Sequence, residues 1–235
     1  MPPSEFFDLL STSPDRWTTL QISGREWQDT TICHQAWDAA IARKRASGTA
    51  VTTFTVESGN APEARELEHT WTLWLAPPWK RATFTVATET VDVVFHGTTW
   101  WGNSRGVSLS NESPDRARSK HGLGDGEDLV RTRDYVSRLE VREIRVGSWI
   151  DRPTLDVGAR AVHHSGDRGR GLHGLIIGDA DRIDLSVDRE RGVLLRAASW
   201  FEGSMYRTVE ALSVAFDETF PSDAFEIDPL PGQDW

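Results

Sequence analysis

The segment Ile183–Asp228, IDLSVDRERGVLLRAASWFEGSMYRTVEALSVAFDETFPSDAFEID, sets the architecture of this chain. Two β-rich runs flank Asp188-Arg189-Glu190-Arg191-Gly192, a polar turn with glycine where a positive φ is needed. Glu202-Gly203-Ser204 makes a second turn, so the segment reads strand, turn, strand, turn, strand, closed by Pro221. That order predicts an antiparallel meander. It carries no reaction signature.

Upstream, period-two patterning continues. Thr49–Glu57, Ala64–Leu75, Arg81–Ala87 and Thr90–Phe95 are rich in Thr and Val and are separated by Gly59, Pro62, Pro77 and Pro78. Phe54 and Val56 share a face, as do Trp71, Leu73 and Leu75, then Phe84 and Val86, then Val91, Val93 and Phe95. Thr, Glu and Asp fill much of the other face, which predicts a sheet with one apolar and one wet side. Trp100-Trp101-Gly102 ends this block, and Gly102–Asp128, poor in large apolar residues, reads as a long loop or lid. Val130–Val146 fits helix or strand equally. Pro153 then opens a strand over Thr154–His163, followed by a glycine-rich loop and a strand near Leu175-Ile176-Ile177.

Residues 1–47 read as helical. Ser4 caps a short helix through Leu10, and Ser13-Pro14 starts a second with Trp17 and Leu20 on one face. Ile32, Ala36, Trp37, Ala40 and Ile41 recur at helical spacing until Gly48 stops the run. The organisation expected is a helical segment, 1–47, packed on a sheet domain, 48–235, as one compact unit.

Composition narrows the function. The 235 residues are 38% hydrophobic and 26% charged, as in an ordinary globular domain. A net charge of −10 argues against nucleic acid and against electrostatic docking on an anionic membrane. One cysteine, Cys33, excludes an intrachain disulfide and a multi-cysteine zinc site, and it reads as a small buried residue. No apolar run is long enough to span a bilayer and no signal peptide is visible at the start, so a cytoplasmic protein is expected. The 11 Trp, against 2 Tyr and 2 Met, supply rigid apolar area suited to a core or to the wall of an apolar ligand site.

Motifs for chemistry are sparse. Gly169-Arg170-Gly171-Leu172-His173-Gly174 matches the dinucleotide pattern, but the strand-like LIIGDADRIDLSV after it lacks the helix that would face a pyrophosphate. His163 and His164, adjacent on a strand, point to opposite faces and do not chelate one ion. Asp179, Asp181 and Asp184 lack the Gly and terminal Glu of a calcium loop. No cofactor or metal is called for. Among Glu68, His69, Asp92 and His96, parity places only His69 on the face of Trp71 and Leu73, which makes it the inward titratable candidate of this sheet.

Several stretches together resemble the LolA-like half-barrel superfamily of lipoprotein carriers, lipid-binding lipoproteins and anti-sigma regulators. They are the helix ending at Ala46-Ser47-Gly48, the Trp71–Trp74 strand, Trp79-Lys80-Arg81, Gly97-Thr98-Thr99-Trp100-Trp101, Asp188–Arg196 and Phe216–Pro221 with Phe225. The likeness spans roughly residues 35–230 and rests on pattern rather than on a unique motif. It implies an α+β fold: a strongly curved antiparallel sheet with N-terminal helices, and helices or a loop over an apolar concavity that shelters acyl chains. Carried onto this chain, the wall is Phe54, Trp71, Leu73, Phe84, Val86, Val93, Phe95 and Leu212, joined by His69 and Trp100. The Gly102–Asp128 loop or the Tyr135 region forms the cover.

Two function classes follow. The first is a soluble binding protein for a hydrophobic small molecule or acyl chain. The alternative is a pocket enzyme of natural-product biosynthesis, of cyclase or isomerase type, in which positioning does most of the work and no motif need show. A regulator binding a partner protein is the weaker third reading.

Overall fold

The computed structural model describes residues 2–46, 48, 65–86, 89–97, 99–104, 107–111, 125–130, 132–135, 139–162 and 180–226. Three α-helices, α1 (Pro3–Thr12), α2 (Thr30–Ala46) and α3 (Asp125–Val130), accompany eleven strands among these residues. The strands are β1 (Leu20–Asp29), β2 (Glu66–Ala76), β3 (Trp79–Val86), β4 (Glu89–His96), β5 (Thr99–Ser104), β6 (Val107–Asn111), β7 (Leu139–Trp149), β8 (Arg152–Ala161), β9 (Arg182–Asp188), β10 (Leu194–Phe201) and β11 (Ser204–Phe216).

All eleven form one sheet in the order β6-β5-β4-β3-β2-β1-β11-β10-β9-β8-β7. Every neighbouring pair is antiparallel. The sheet is curled and does not close. The chain starts at its centre, meanders outward through β2–β6, then restarts at the far edge with β7 and meanders back until β11 pairs with β1. Helix α3 lies on the return path and packs on β1, β2, β10 and β11, so that connection crosses the middle of the inner face.

The turns follow local chemistry. Glu202 (φ 49°) and Gly203 (φ 79°) form a two-residue connection whose left-handed backbone matches strand twist. Between β9 and β10 the buried Asp188 carboxylate accepts the Glu190 and Arg191 amides at 2.9 and 2.7 Å, while Arg152 bonds its other oxygen. Gly192 (φ 72°) completes that turn, and a Cβ there would lie 2.5 Å from the Leu9 carbonyl oxygen of α1. The meander predicted for Ile183–Phe216 is therefore the one observed.

Burial alternates along β2, where Trp71, Leu73 and Leu75 are buried, and along β8, where Leu155, Val157, Ala159 and Ala161 are. The inner face and the helices share one core that includes Phe6, Leu10, Leu20, Ile22, Leu129, Ile183, Leu195 and Val209. At one end the half-barrel is shut. Thr132 Oγ donates to the Leu10 carbonyl at 2.7 Å, the Thr18 amide donates to Asp217 at 2.7 Å, and Arg191 pairs with Asp217 at 2.8 Å.

Three expectations are corrected. The helix expected from Pro14 through Leu20 is a 3-10 turn (Ser13–Asp15) followed by β1, the central strand, so residues 1–47 are not helical throughout. Ladder hydrogen bonds to β2 and β11 on both sides outweigh the local helical signal. The strand block does not end at Gly102, because β5 runs to Ser104 and β6 follows. Accordingly the long loop is shorter than expected: its first residues are strand, its last belong to α3, and 112–124 lie outside the described residues, as do Thr49–Glu57 and 163–179. The ambiguous stretch after Val130 is a 3-10 turn (Thr132–Tyr135) and then β7.

Candidate functional site

The end of the half-barrel opposite Thr132 and Asp217 holds the buried Glu26, Asp29, Thr30, Ser199 and Arg207. It is the rim formed by the ends of β1, β8 and β10 and the starts of β2, β7, β9 and β11. Helix α2 begins there, directly after β1. Asp29 caps it, accepting the Ile32 amide at 3.0 Å, and Thr30 ties its first residue to the Arg65 carbonyl. From β1 the helix runs over the sheet with Cys33 and Ala36 turned into the core, and its far end brings Arg43 to β8.

Beneath the start of α2 lies a charged cluster. Glu26 sits at inward parity after Leu20, Ile22 and Gly24, and is 4% exposed. Its Oε1 accepts Arg207 Nε at 2.5 Å, and Arg207 is itself 1% exposed. Its Oε2 faces the imidazole Nε2 of His69 at 3.4 Å, from the residue directly opposite on β2. Burial, reinforced by positive Arg207, holds the His69 imidazole below its ordinary pKa. The nearby carboxylate does not reverse this, because its charge is already neutralised by Arg207. His69 thus stays neutral at pH 7, beside a carboxylate that Arg207 holds in place.

Cys33 and Tyr206 border the cluster. Burial pushes the Cys33 thiol up, against the pull of Arg207. Burial pushes the Tyr206 phenol far up, opposed by a hydrogen bond with Ser199. Both groups stay protonated across the physiological range and serve as neutral packing and hydrogen-bonding groups.

At the far end of α2 the rim opens into a cleft of about 510 Å³. Ala161, Val162, Ala180 and Phe201 form its apolar floor, and Arg43, Arg160, Glu140 and Asp181 border it. Ala161 and Ala180 belong to the main core, and Phe201 packs against it. The cleft therefore meets the edge of the apolar interior.

No protein-family model matches the sequence, and no curated protein matches it. Solved structures share its architecture. MucB is 11% identical, with 97% of this chain and 63% of MucB covered and a TM-score of 0.51. This chain thus spans less than two thirds of MucB's length. LprF from Mycobacterium bovis is 10% identical (93% and 97% covered, TM-score 0.45), and a LolA superfamily protein from Nitrosomonas europaea is 7% identical (97% and 98% covered, TM-score 0.34). The half-barrel fold is shared with MucB. MucB has also been solved in complex with MucA, both from Pseudomonas aeruginosa. At these identities the likeness concerns the half-barrel alone.

Within the half-barrel the predicted wall residues divide. Trp71 and Leu73 are buried in the main core, under α3 in the case of Trp71. Phe84 and Phe95 are partly buried against that core. Val93 and Trp100 form a smaller cluster with Val91 and Phe95 on the β4–β5 wing. His69 is inward but lies at the rim, beside Glu26. Leu212 does not join the wall: it is the extra residue of a bulge between the Ser23–Ser213 and Gly24–Ala211 pairs, and is 52% exposed. Val86 ends β3 and Tyr135 ends its 3-10 turn, but their side chains, like all of Phe54, lie outside the described residues.

Glu26, Arg207, Arg43 and Arg160 were not anticipated as site residues. Glu26 was findable: once Leu20, Ile22 and Gly24 are read as a strand, the next inward position is a carboxylate. Arg43 and Arg160 are 117 positions apart, and nothing in the sequence pairs them.

Proposed function

We propose that this protein binds a hydrophobic small molecule or acyl chain, which reaches the apolar interior through the rim cleft beneath the end of α2. One observation carries the reading: the cleft of about 510 Å³ is floored by side chains that belong to, or pack against, the apolar core. Covering apolar floor removes water at roughly 25 cal/mol per Å², before association costs are subtracted. The curled sheet that does not close, with α2 and α3 packed on it, supports the same reading.

The test is native mass spectrometry of freshly purified protein, with organic extraction of anything bound, together with titration of the fluorescent apolar probe N-phenyl-1-naphthylamine. A co-purifying apolar mass, or blue-shifted probe emission that weakens in Phe201→Ala, is expected. A clean apo mass with no probe response would overturn the proposal.

A second reading, a pocket enzyme of isomerase or cyclase type, draws on His69, Glu26 and Arg207. A neutral imidazole 3.4 Å from an anchored carboxylate is an arrangement that suits a general base. In that case His69→Gln would abolish turnover of an extracted ligand while leaving its binding intact. Unchanged turnover would remove the reading.

A further inference from the structure

We infer that the ligand of the rim cleft carries an oxyanion, a carboxylate or phosphate group, seated between the guanidinium groups of Arg43 and Arg160. This rests on the cleft being the ligand's way in, and it adds the chemistry of the ligand's polar end.

The two arginines come from different elements, α2 and β8, and border one cleft. They are close enough for the charge of Arg160 to act on Arg43, whose guanidinium is held below its ordinary pKa by burial first and by Arg160 second. Two like charges facing one space favour an anion placed between them. Glu140, opposite Arg160 in the β7–β8 register, bonds Arg142 at 3.0 Å, and Asp181 accepts the Glu202 amide at 2.7 Å. A guanidinium has five N–H donors, so each arginine can take an oxyanion beside any contact it already makes. Planar, two-toothed recognition of carboxylate and phosphate is what guanidinium geometry does best.

The surroundings define the rest of the ligand. Ala161, Ala180, Val162 and Phe201 line the same cleft and offer no hydrogen-bonding side chain. An anionic head between the arginines therefore continues into an apolar body over that floor. A fatty acid and an alkyl phosphate both have this form, whereas free phosphate would use the arginines alone.

Binding of decanoate, 1-decanol and inorganic phosphate, measured by calorimetry, separates the alternatives in wild type and in Arg43→Gln/Arg160→Gln. Decanoate is expected to bind tighter than decanol by about tenfold or more, the equivalent of one charge-assisted hydrogen bond. The double variant should lose that preference. Arg43→Lys/Arg160→Lys, which retains both charges, should keep part of the preference, and a melting curve of each variant checks its folding. Equal affinity for decanoate and decanol, or a preference indifferent to the double Gln variant, would overturn the oxyanion seat and leave the apolar site standing. Phosphate binding that needs both arginines, with no affinity for either decyl compound, would support the seat and overturn the apolar reading. Binding of none of the three would overturn both.

Discussion

Trp71 and Gly126 are packed so closely that a methyl group would not fit between them: a Cβ on Gly126 would lie 2.5 Å from Cε3 of the indole. Gly126 belongs to α3, the helix that crosses the inner face, and Trp71 belongs to β2 near the sheet centre. On its other side the same indole meets Gly24 of β1, where a Cβ would lie 2.3 Å from Cζ2 and equally close to the Glu210 carbonyl oxygen. The connection between the two sheet edges is thus seated on a tryptophan held between two glycines.

Gly126→Ala should cost about 1–3 kcal/mol through overpacking. Trp71→Phe removes the ring atoms concerned and should recover much of that cost in the double variant. At Gly24 the second obstacle is backbone, so Trp71→Phe should not rescue Gly24→Ala. Urea denaturation midpoints of the singles and doubles check this, and equal rescue at both glycines would contradict it.

Removing one partner of the Arg207–Glu26 pair strands a buried charge. Arg207→Met should destabilise by about 3–5 kcal/mol, whereas Glu26→Leu/Arg207→Met, which removes both charges, should return close to wild type. Additive losses in the double variant, seen in chemical denaturation, would show that the pair is not coupled in this way.

His69 makes stability depend on pH with a definite sign. Its folded pKa lies below the unfolded value of about 6.5. The unfolded chain therefore binds more protons as pH drops through that value, and stability contributed by the neutral folded imidazole is lost on acidification. Melting temperature should fall between about pH 7.5 and 5.5, and His69→Gln should flatten the profile in that window. An unchanged slope in the variant would assign the dependence to other groups.

Asp188 has two separable roles, turn acceptor and partner of Arg152. Asp188→Asn keeps an oxygen for the Glu190 and Arg191 amides but loses the charge, while Asp188→Ala loses both. The expected order of stability is wild type, Asn, Ala, with about 1–3 kcal/mol for each unsatisfied buried group. Thermal denaturation of the three proteins tests the order.

Much of this protein was legible in its residues. Hairpin turns announce themselves through glycine and Asx chemistry, so β9–β11 followed from Asp188–Gly192 and Glu202–Gly203. Period-two burial exposed β2, β3 and β4, and their resemblance to half-barrels led to the right fold. His69 was placed inward by parity alone. These features are local: they rest on residues within one strand or one turn.

What tertiary structure alone decided is non-local. β1 is a strand because β2 and β11, about 50 and 190 residues further on, complete its ladders, which no local propensity reports. Leu212 left the wall because a bulge shifted register by one residue, and a period of two turns that shift into a change of face. The Glu26–Arg207 pair and the Arg43–Arg160 cleft exist only because curling brings distant strand ends to one rim. Burial there makes charge costly unless it is partnered, and the partners come from the far side of the chain.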